Sequence, residues 1–317
     1  MQNILITGGA GFIGANLAAK LTELGYRVVC VDNFTLGSRD NVSRLLGNEN
    51  FELCELDATN KEELEKLMAI QKTDMVFHLA ANSDIQKSGK TPKIDLDNTF
   101  LTTASVLEAM RANNIKQIFF ASTSAVYGEK PGIRLKEDTG GLQPISYYGG
   151  AKLASEAMIS AYAYMNDMKA TIFRFANVIG PGLTHGVIFD FIRKLRENPK
   201  RLEILGDGTQ KKPYIHVADL LNAMLQVTGE SADGVEIYNV GVDSDTTVTE
   251  IADIVCENMG LKGVEYQYTG GSRGWKGDVP SFSYNLDKIH AKGWRADHTS
   301  NEAVRDTVAA VLNGGGL

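Results

Sequence analysis

The sequence predicts an α/β fold, a doubly wound parallel sheet joined to a smaller, mixed α/β lobe. Three observations carry this. Short runs rich in Ile, Val and Phe alternate with amphipathic helical patterns through the first half. A glycine-rich turn joins the first such run to the first helix. After Ile179 the alternation weakens, and long glycine-containing loops take over.

Taken in order, "NILIT", "RVVCVD", "FELCEL", "DMVFHLA", "QIFFAS" and "ATIFRFA" read as strands buried on both faces. Between them, "NKEELEKLMAI" and "NTFLTTASVLEAMRAN" place apolar residues at three- and four-residue steps, the spacing of a helix with one buried face. Strands separated by helices imply crossover connections and a parallel sheet, whose ligands bind beyond the carboxyl ends of the strands. The second half contains the loops "GPGLTHG", "GDGTQKKP" and "GGSRGWKGDVP". One helix there is well signalled: "TVTEIADIVCENMG" opens with Thr247 and Glu250 at capping-box spacing and ends at Gly260. The expected division is residues 1–176 for the sheet domain and 177–317 mainly for a substrate lobe. "YIHVADLLNAML" is a candidate segment to return to the sheet.

The 317 residues are 43% apolar and 22% charged, which suits a soluble chain with a large core. A net charge of −7 argues against a nucleic-acid partner, which calls for a basic face. No run reaches the roughly 18 apolar residues of a membrane span. "MQNILITGG" lacks the basic and long apolar regions of a signal peptide. Three well-separated cysteines (Cys30, Cys54, Cys256) read as free thiols in a reducing compartment, so a cytoplasmic location is expected. No metal is expected.

"ITGGAGFIG" follows the first strand and leads into a helix. Gly8, Gly11 and Gly14 fit GxxGxxG, a dinucleotide-binding variant of the glycine turn. Missing side chains permit the tight turn and close approach of backbone to pyrophosphate, and the helix N-terminus offers its unpaired N–H groups. Asp32, 18 residues beyond Gly14, ends the second strand where a carboxylate binds the adenosine ribose hydroxyls. It would repel a 2′-phosphate, which favours NAD over NADP. No lysine of a nucleoside-triphosphate loop follows. The sheet is therefore expected to be Rossmann-type.

A second constellation lies in "SYYGGAK". Tyr148 and Lys152 stand at YxxxK spacing, one helical turn apart. "FFASTSAVYG" ends a strand with Ser122, Thr123 and Ser124, and Thr123 precedes Tyr148 by 25 residues. A phenol with a pKa of about 10 is a poor base at neutral pH, but a neighbouring ammonium and the cationic nicotinamide both favour phenolate. Thr123 would hydrogen-bond the substrate oxygen that loses its proton. A second YxxxK, Tyr284 to Lys288, has no hydroxyl-bearing strand end at comparable spacing and reads as coincidence.

With "TGGAGFIG", "VDNFTLGSRDN", "HLAA", "STSAVYG", "YGGAK", "RFANVIGPG", "GDGTQKKPYIHV" and "GDVP" in this order, the chain resembles the extended short-chain dehydrogenase/reductase family, and within it the UDP-glucose 4-epimerase branch. The resemblance implies a tightly bound NAD. Gly8, Gly11, Phe12, Ile13, Gly14, Asp32 and Asn33 would hold it, with Asp57 and Ala58 at the adenine. Leu79, Ala80, Ala81 and Phe175 would line it, and Asn98 would hold the loop near the nicotinamide half. Thr123, Tyr148 and Lys152 would be the catalytic trio, with Tyr148 and Lys152 also binding NAD, Lys152 at the nicotinamide ribose. Asn177, Gly186, Val187, Lys212, Tyr214, Arg273 and Asp278 would surround the sugar nucleotide, with Ser83 and Asp84 near the sugar.

The implied reaction inverts C4 of a UDP-hexose through a transient 4-keto sugar, interconverting UDP-glucose and UDP-galactose. Similar 4,6-dehydratases carry Asp-Glu after the threonine, and similar UDP-glucuronate decarboxylases a Glu at the second position. Ser124 and Ala125 leave no carboxyl acid here, which favours epimerisation. Some positions depart from the pattern. Lys212 replaces a usual arginine, keeping a point charge and losing the bidentate fork. Trp275 replaces an arginine before "GD", so either Arg273 substitutes or the loop differs. Ser83 replaces a lysine of some epimerases. Asp84 is either a solvated loop residue or faces the sugar, where it would disfavour UDP-glucuronate. The alternatives are a UDP-N-acetylhexosamine 4-epimerase, a UDP-glucuronate decarboxylase or epimerase, a 4-keto-reductase, and a catalytically silent NAD-binding protein. Resemblance also implies a homodimer built on the helices after Asn98 and Tyr148.

Overall fold

Apolar residues at consecutive positions can all be buried only in a strand covered on both faces, and the first run meets that condition. Ile4, Leu5 and Ile6 are at most 1% exposed in β1, Asn3–Thr7. The computed structural model describes residues 2–229 and 234–314, without the side chains of Gln86 and Lys87. It divides into two compact units. The first comprises Met1–Val126, Ser146–Arg174 and Val227–Tyr238, and the second Tyr127–Ile145, Phe175–Gln226 and Asn239–Leu317. Val227–Tyr238 is the segment of the second half that lies in the first unit, and Tyr127–Ile145 the segment of the first half that lies in the second.

After β1 come α1 (Phe12–Glu23), β2 (Arg27–Asp32), β3 (Phe51–Glu55), α2 (Lys61–Gln71) and β4 (Met75–His78). Next are α3 (Thr102–Ala112), β5 (Gln117–Thr123), α4 (Tyr147–Met165), β6 (Lys169–Phe175) and β7 (Val235–Val240). The seven strands form one sheet in the order β7-β6-β5-β4-β1-β2-β3. β1 runs parallel to both β2 and β4, with Thr7 opposite Val31 on one side and His78 on the other. β2–β3 and β4–β5 are also parallel. The chain moves outward through β2 and β3, then returns to place β4 on the other side of β1. The carboxyl ends of β1 and β4 thus mark the switch point where such sheets bind ligands.

Successive residues face opposite sides of the sheet. Val76, Ile118 and Phe120 join Leu64 and Met68 of α2, Val106, Leu107 and Met110 of α3, and Ile159 of α4 in one core cluster. Phe77 and Phe119 stack at 4.5 Å, and Phe119 and Phe173 at 6.4 Å. Asn60 caps α2 by accepting from Glu63 N, and Lys72 ends it in the left-handed region. A π-helical stretch, Leu96–Leu101, leads into α3 and carries Asn98. Such wide turns are frequent at functional sites.

In the second unit, Thr247 and Glu250 form the expected capping box at the start of Val248–Asn258. Thr299 and Glu302 form another before Ser300–Leu312, at the same spacing. The segment expected to return to the sheet does not. Tyr214–His216 instead pairs in parallel with Asn177–Ile179 as a two-stranded ladder. The seventh sheet position is taken by β7, whose Glu236 and Asn239 interrupt the apolar run that would have announced it. No helix among the described residues is long and apolar enough to cross a membrane.

Candidate active site

In the first unit, the loop between β1 and α1 leaves no room for side chains. Gly8 has φ +71, and a Cβ there would stand 2.7 Å from Ala80 N. At Gly14 a Cβ would meet Gly8 O at 2.2 Å. α1 opens with Gly11 as its N-cap and no side-chain cap, so its first N–H groups remain available to an anion. Phe12 and Ile13, the first residues of α1, are half-buried.

Asp32, at the end of β2, is 8% exposed. Its carboxylate accepts from Ala10 N at 2.9 Å and Phe34 N at 2.8 Å. Burial pushes its pKa up, and the N–H groups of Phe34, Ala10 and Gly11 pull against that. The carboxylate is thus fixed by backbone, with further lone pairs for a diol. Beside it, Asn33 donates to Asp57 at 2.8 Å, and Thr59 donates to the same carboxylate. These bonds hold Asp57 below its usual range despite the opposing effect of burial. Ala58 is buried, and Leu79, Ala80 and Ala81 are half-buried after β4. A glycine cradle, an uncapped helix start and a backbone-held carboxylate at the switch point fit a dinucleotide.

At the end of β5, Thr123 lies beside the Tyr148 phenol and acts to lower its pKa. Ser146 caps α4 by accepting from Gly149 N at 3.1 Å, which sets Tyr148 in the first turn. Lys152, 2% exposed, donates to Ala121 O at 2.6 Å and lies 4.7 Å from the Phe120 ring centroid. The trio is assembled, but its electrostatics differ from the expectation. Burial pushes Tyr148 up to about 12, Thr123 acts against that, and the charge of Asp95 adds to it. Burial also pulls Lys152 down to about 7, against Glu156 and Asp95, which raise it. Desolvation thus outweighs the help expected from the neighbouring ammonium, and the chain's own groups keep Tyr148 a neutral phenol at pH 7.

Several residues around the trio are not singled out by the sequence. His78 bonds Thr7 at 2.7 Å and Thr103 at 3.0 Å, and Thr103 bonds Ser155 of α4. Burial and Lys152 hold His78 down at about 3, so it is neutral. Asn82 donates to Asp95 at 2.8 Å, accepts from Asp84 N and donates its own N–H to Thr99, fixing the loop after β4. Ser83 is exposed and Asp84 half-buried there, while Asn98 is half-buried in the π-helical stretch. Glu156 and Arg174 form a buried ion pair. Of these, only Glu156 carries a signal: it lies one turn beyond Lys152 on the same helix face.

The other expected residues, Phe175, Asn177, Gly186, Val187, Lys212, Tyr214, Arg273 and Asp278, belong to the second unit. Lys212 pairs with Asp278 at 2.5 Å, and Arg273 pairs with Glu129 at 2.6 Å while donating to Asp278 O. The point charge expected at Lys212 is therefore matched by a carboxylate. Gly186, at φ +105, precedes Val187 at the start of the helix Val187–Glu197. Tyr214 is buried, and burial together with Asp278 pushes its phenol up.

Tyr284, of the second YxxxK, is 1% exposed, packs against Tyr127 and donates to Phe175 O at 3.2 Å. Tyr284→Phe is expected to cost about 1 kcal/mol, seen as a melting temperature lower by roughly 2–4 °C, with turnover retained. A collapse of turnover with unchanged melting would contradict this packing role.

Residues 4–241 match the NAD dependent epimerase/dehydratase family. A putative UDP-glucose 4-epimerase of Methanocaldococcus jannaschii is 32% identical, covering 98% of both chains. Among solved structures, a UDP-galactose 4-epimerase is 38% identical with a TM-score of 0.87, covering 98% of this chain and 99% of that one. The UDP-glucose 4-epimerase of Thermus thermophilus, solved with NAD, is 30% identical with a TM-score of 0.88, covering 99% and 100%.

Proposed function

Because this chain belongs to the NAD-dependent epimerase/dehydratase family, we propose that it interconverts UDP-glucose and UDP-galactose by inverting C4 of the hexose. At the coarser level it is a UDP-sugar 4-epimerase, an isomerase, with NAD as its cofactor. The observation that carries C4 epimerisation is Thr123 beside the Tyr148 phenol, with buried Lys152 one turn on and Ser124 and Ala125 supplying no carboxyl group; the hexose is taken from the similar epimerases.

Thr123 orients the 4″-hydroxyl, and Tyr148 takes its proton and returns it once the keto sugar has presented its other face. Lys152, fixed on Ala121 O, would bind the nicotinamide ribose and in its protonated form would favour the phenolate. Bound NAD supplies the hydride acceptor and donor, and its positive ring favours the phenolate that this chain alone does not. Gly8, Gly11, Phe12, Ile13, Gly14, Asp32, Asn33, Asp57, Ala58, Leu79, Ala80, Ala81 and Asn98 are assigned to NAD. Asn177, Gly186, Val187, Lys212, Tyr214, Arg273 and Asp278 of the second unit are assigned to UDP. Epimerisation returns the cofactor to its starting state, so NAD stays bound.

Purified protein given UDP-glucose, UDP-N-acetylglucosamine or UDP-glucuronate without added NAD tests this by NMR of the products. UDP-galactose formed from UDP-glucose is the expected result. Released CO₂, an accumulating keto sugar or no turnover with NAD bound would each overturn the reading. We also assign the chain to a homodimer. In support, α4 exposes Tyr147, Gly150, Ala154, Ala157, Ala161 and Tyr164 along one face, a small-residue surface on which a second copy can pack closely.

A further inference from the structure

The carboxylate of Glu156 is 5% exposed and is held from two strands. Arg174 of β6 donates through Nε to Oε1 at 3.1 Å and through Nη2 to Oε2 at 2.7 Å. Ser122 of β5 donates to Oε1 as well. One turn earlier on α4, Lys152 donates to Ala121 O at 2.6 Å. Two adjacent residues of β5, Ala121 by its carbonyl and Ser122 by its hydroxyl, are thus tied to two groups one turn apart on α4. Thr123 is the next residue. Bidentate pairing in a dry setting fixes orientation far better than an exposed pair does.

We propose that Glu156 is a positioning residue for the trio: clamped by Arg174 and Ser122, it locks the end of β5 against α4 and presents a buried carboxylate one turn from the Lys152 ammonium. This rests on the reading of Tyr148 and Lys152 given above. The charged and titratable groups facing Lys152 are Tyr148 and Glu156 on its own helix, Asp95 from Lys93–Asp95 and His78 from β4; Arg174 reaches Glu156 from β6. Glu156 is the foremost group opposing the effect of burial on Lys152, and Arg174, paired with that carboxylate, offsets part of its charge.

Glu156→Gln keeps the side-chain shape and removes the charge. The sign follows from Lys152: a lost neighbouring anion makes the ammonium give up its proton at lower pH. The alkaline limb of the pH–kcat profile should therefore move down by about one unit, with kcat reduced about tenfold or more and KM changed little. In ¹⁵N-lysine NMR of the protein without substrate, the Lys152 Nζ midpoint should move the same way. Loss of the buried Glu156–Arg174 ion pair will also lower the melting temperature, by roughly 5–10 °C. Glu156→Gln/Arg174→Gln removes both charges and should recover most of that loss, with the limb and midpoint still below wild type but by less than in Glu156→Gln alone. A purely structural pair would lower melting and leave both unmoved, which overturns the proposal. If the wild type turns over no UDP-sugar, the functional reading fails, and the Lys152 midpoint still decides this inference.

Discussion

Tyr148→Phe should lower turnover of the UDP-sugar by about 10³-fold or more while leaving NAD in the protein. The hydroxyl removed is the titrating group that Thr123, at the end of β5, acts on. The groups assigned to the dinucleotide, the glycine turn, Asp32 and the start of α1, stand on other elements. Phe fills the same volume, so the fold should survive, and Lys152 keeps its bond to Ala121 O. A phenol held near 12 by burial is a weak base until a bound cation lowers it. Water or a hydroxyl neighbour cannot easily replace it, because the adjacent residues Ser124 and Ala125 supply no carboxylate. The measurement is single-variant kinetics with NAD counted after denaturation. Full activity in the variant would remove Tyr148 from the chemistry, and loss of NAD with loss of activity would make it a cofactor residue only.

Much of this was legible because it is local. β1 and β2 have the bounds their apolar runs announce, since a parallel sheet covered on both faces demands unbroken hydrophobic stretches. The glycine turn and Asp32 were readable for the same reason: tight turns and strand ends restrict residue type at fixed spacing. What escaped depends on contacts remote in sequence. β7 joins the sheet although Glu236 and Asn239 break its apolar pattern, and the two buried chains around the trio bring Thr7, His78 and Thr103, or Ser122, Glu156 and Arg174, together from separate elements. The phenol's direction of shift was also not local. Spacing placed an ammonium one turn away, but only the packing around both side chains reveals that desolvation dominates. Lys212 teaches the same lesson, since its partner Asp278 lies 66 residues away.

Gly14→Ala should cost the protein its NAD although the change adds a single methyl group. That carbon would sit 2.2 Å from Gly8 O, 2.9 Å from Gly9 Cα and 3.0 Å from Gly8 C, all backbone atoms with no rotamer to yield. Relief requires α1 to move away from the turn. Movement is opposed on both sides: Gly8 N and Gly9 N are bonded to Val31 O, and Gly8 is also pressed against Ala80. Overpacking of this kind costs about 1–3 kcal/mol, and here it falls on the surface proposed to receive the pyrophosphate. If that cost appears in binding, NAD affinity drops about 10- to 100-fold, and the protein should purify largely without cofactor. Added NAD at high concentration should then restore turnover, because Thr123, Tyr148 and Lys152 stand on β5 and α4 and are not displaced. Calorimetric titration of NAD, paired with turnover against NAD concentration, measures both effects. Wild-type affinity in Gly14→Ala would mean that the turn does not set the cofactor's position. Lost turnover that no concentration of NAD restores would mean that the turn and the trio move as one body.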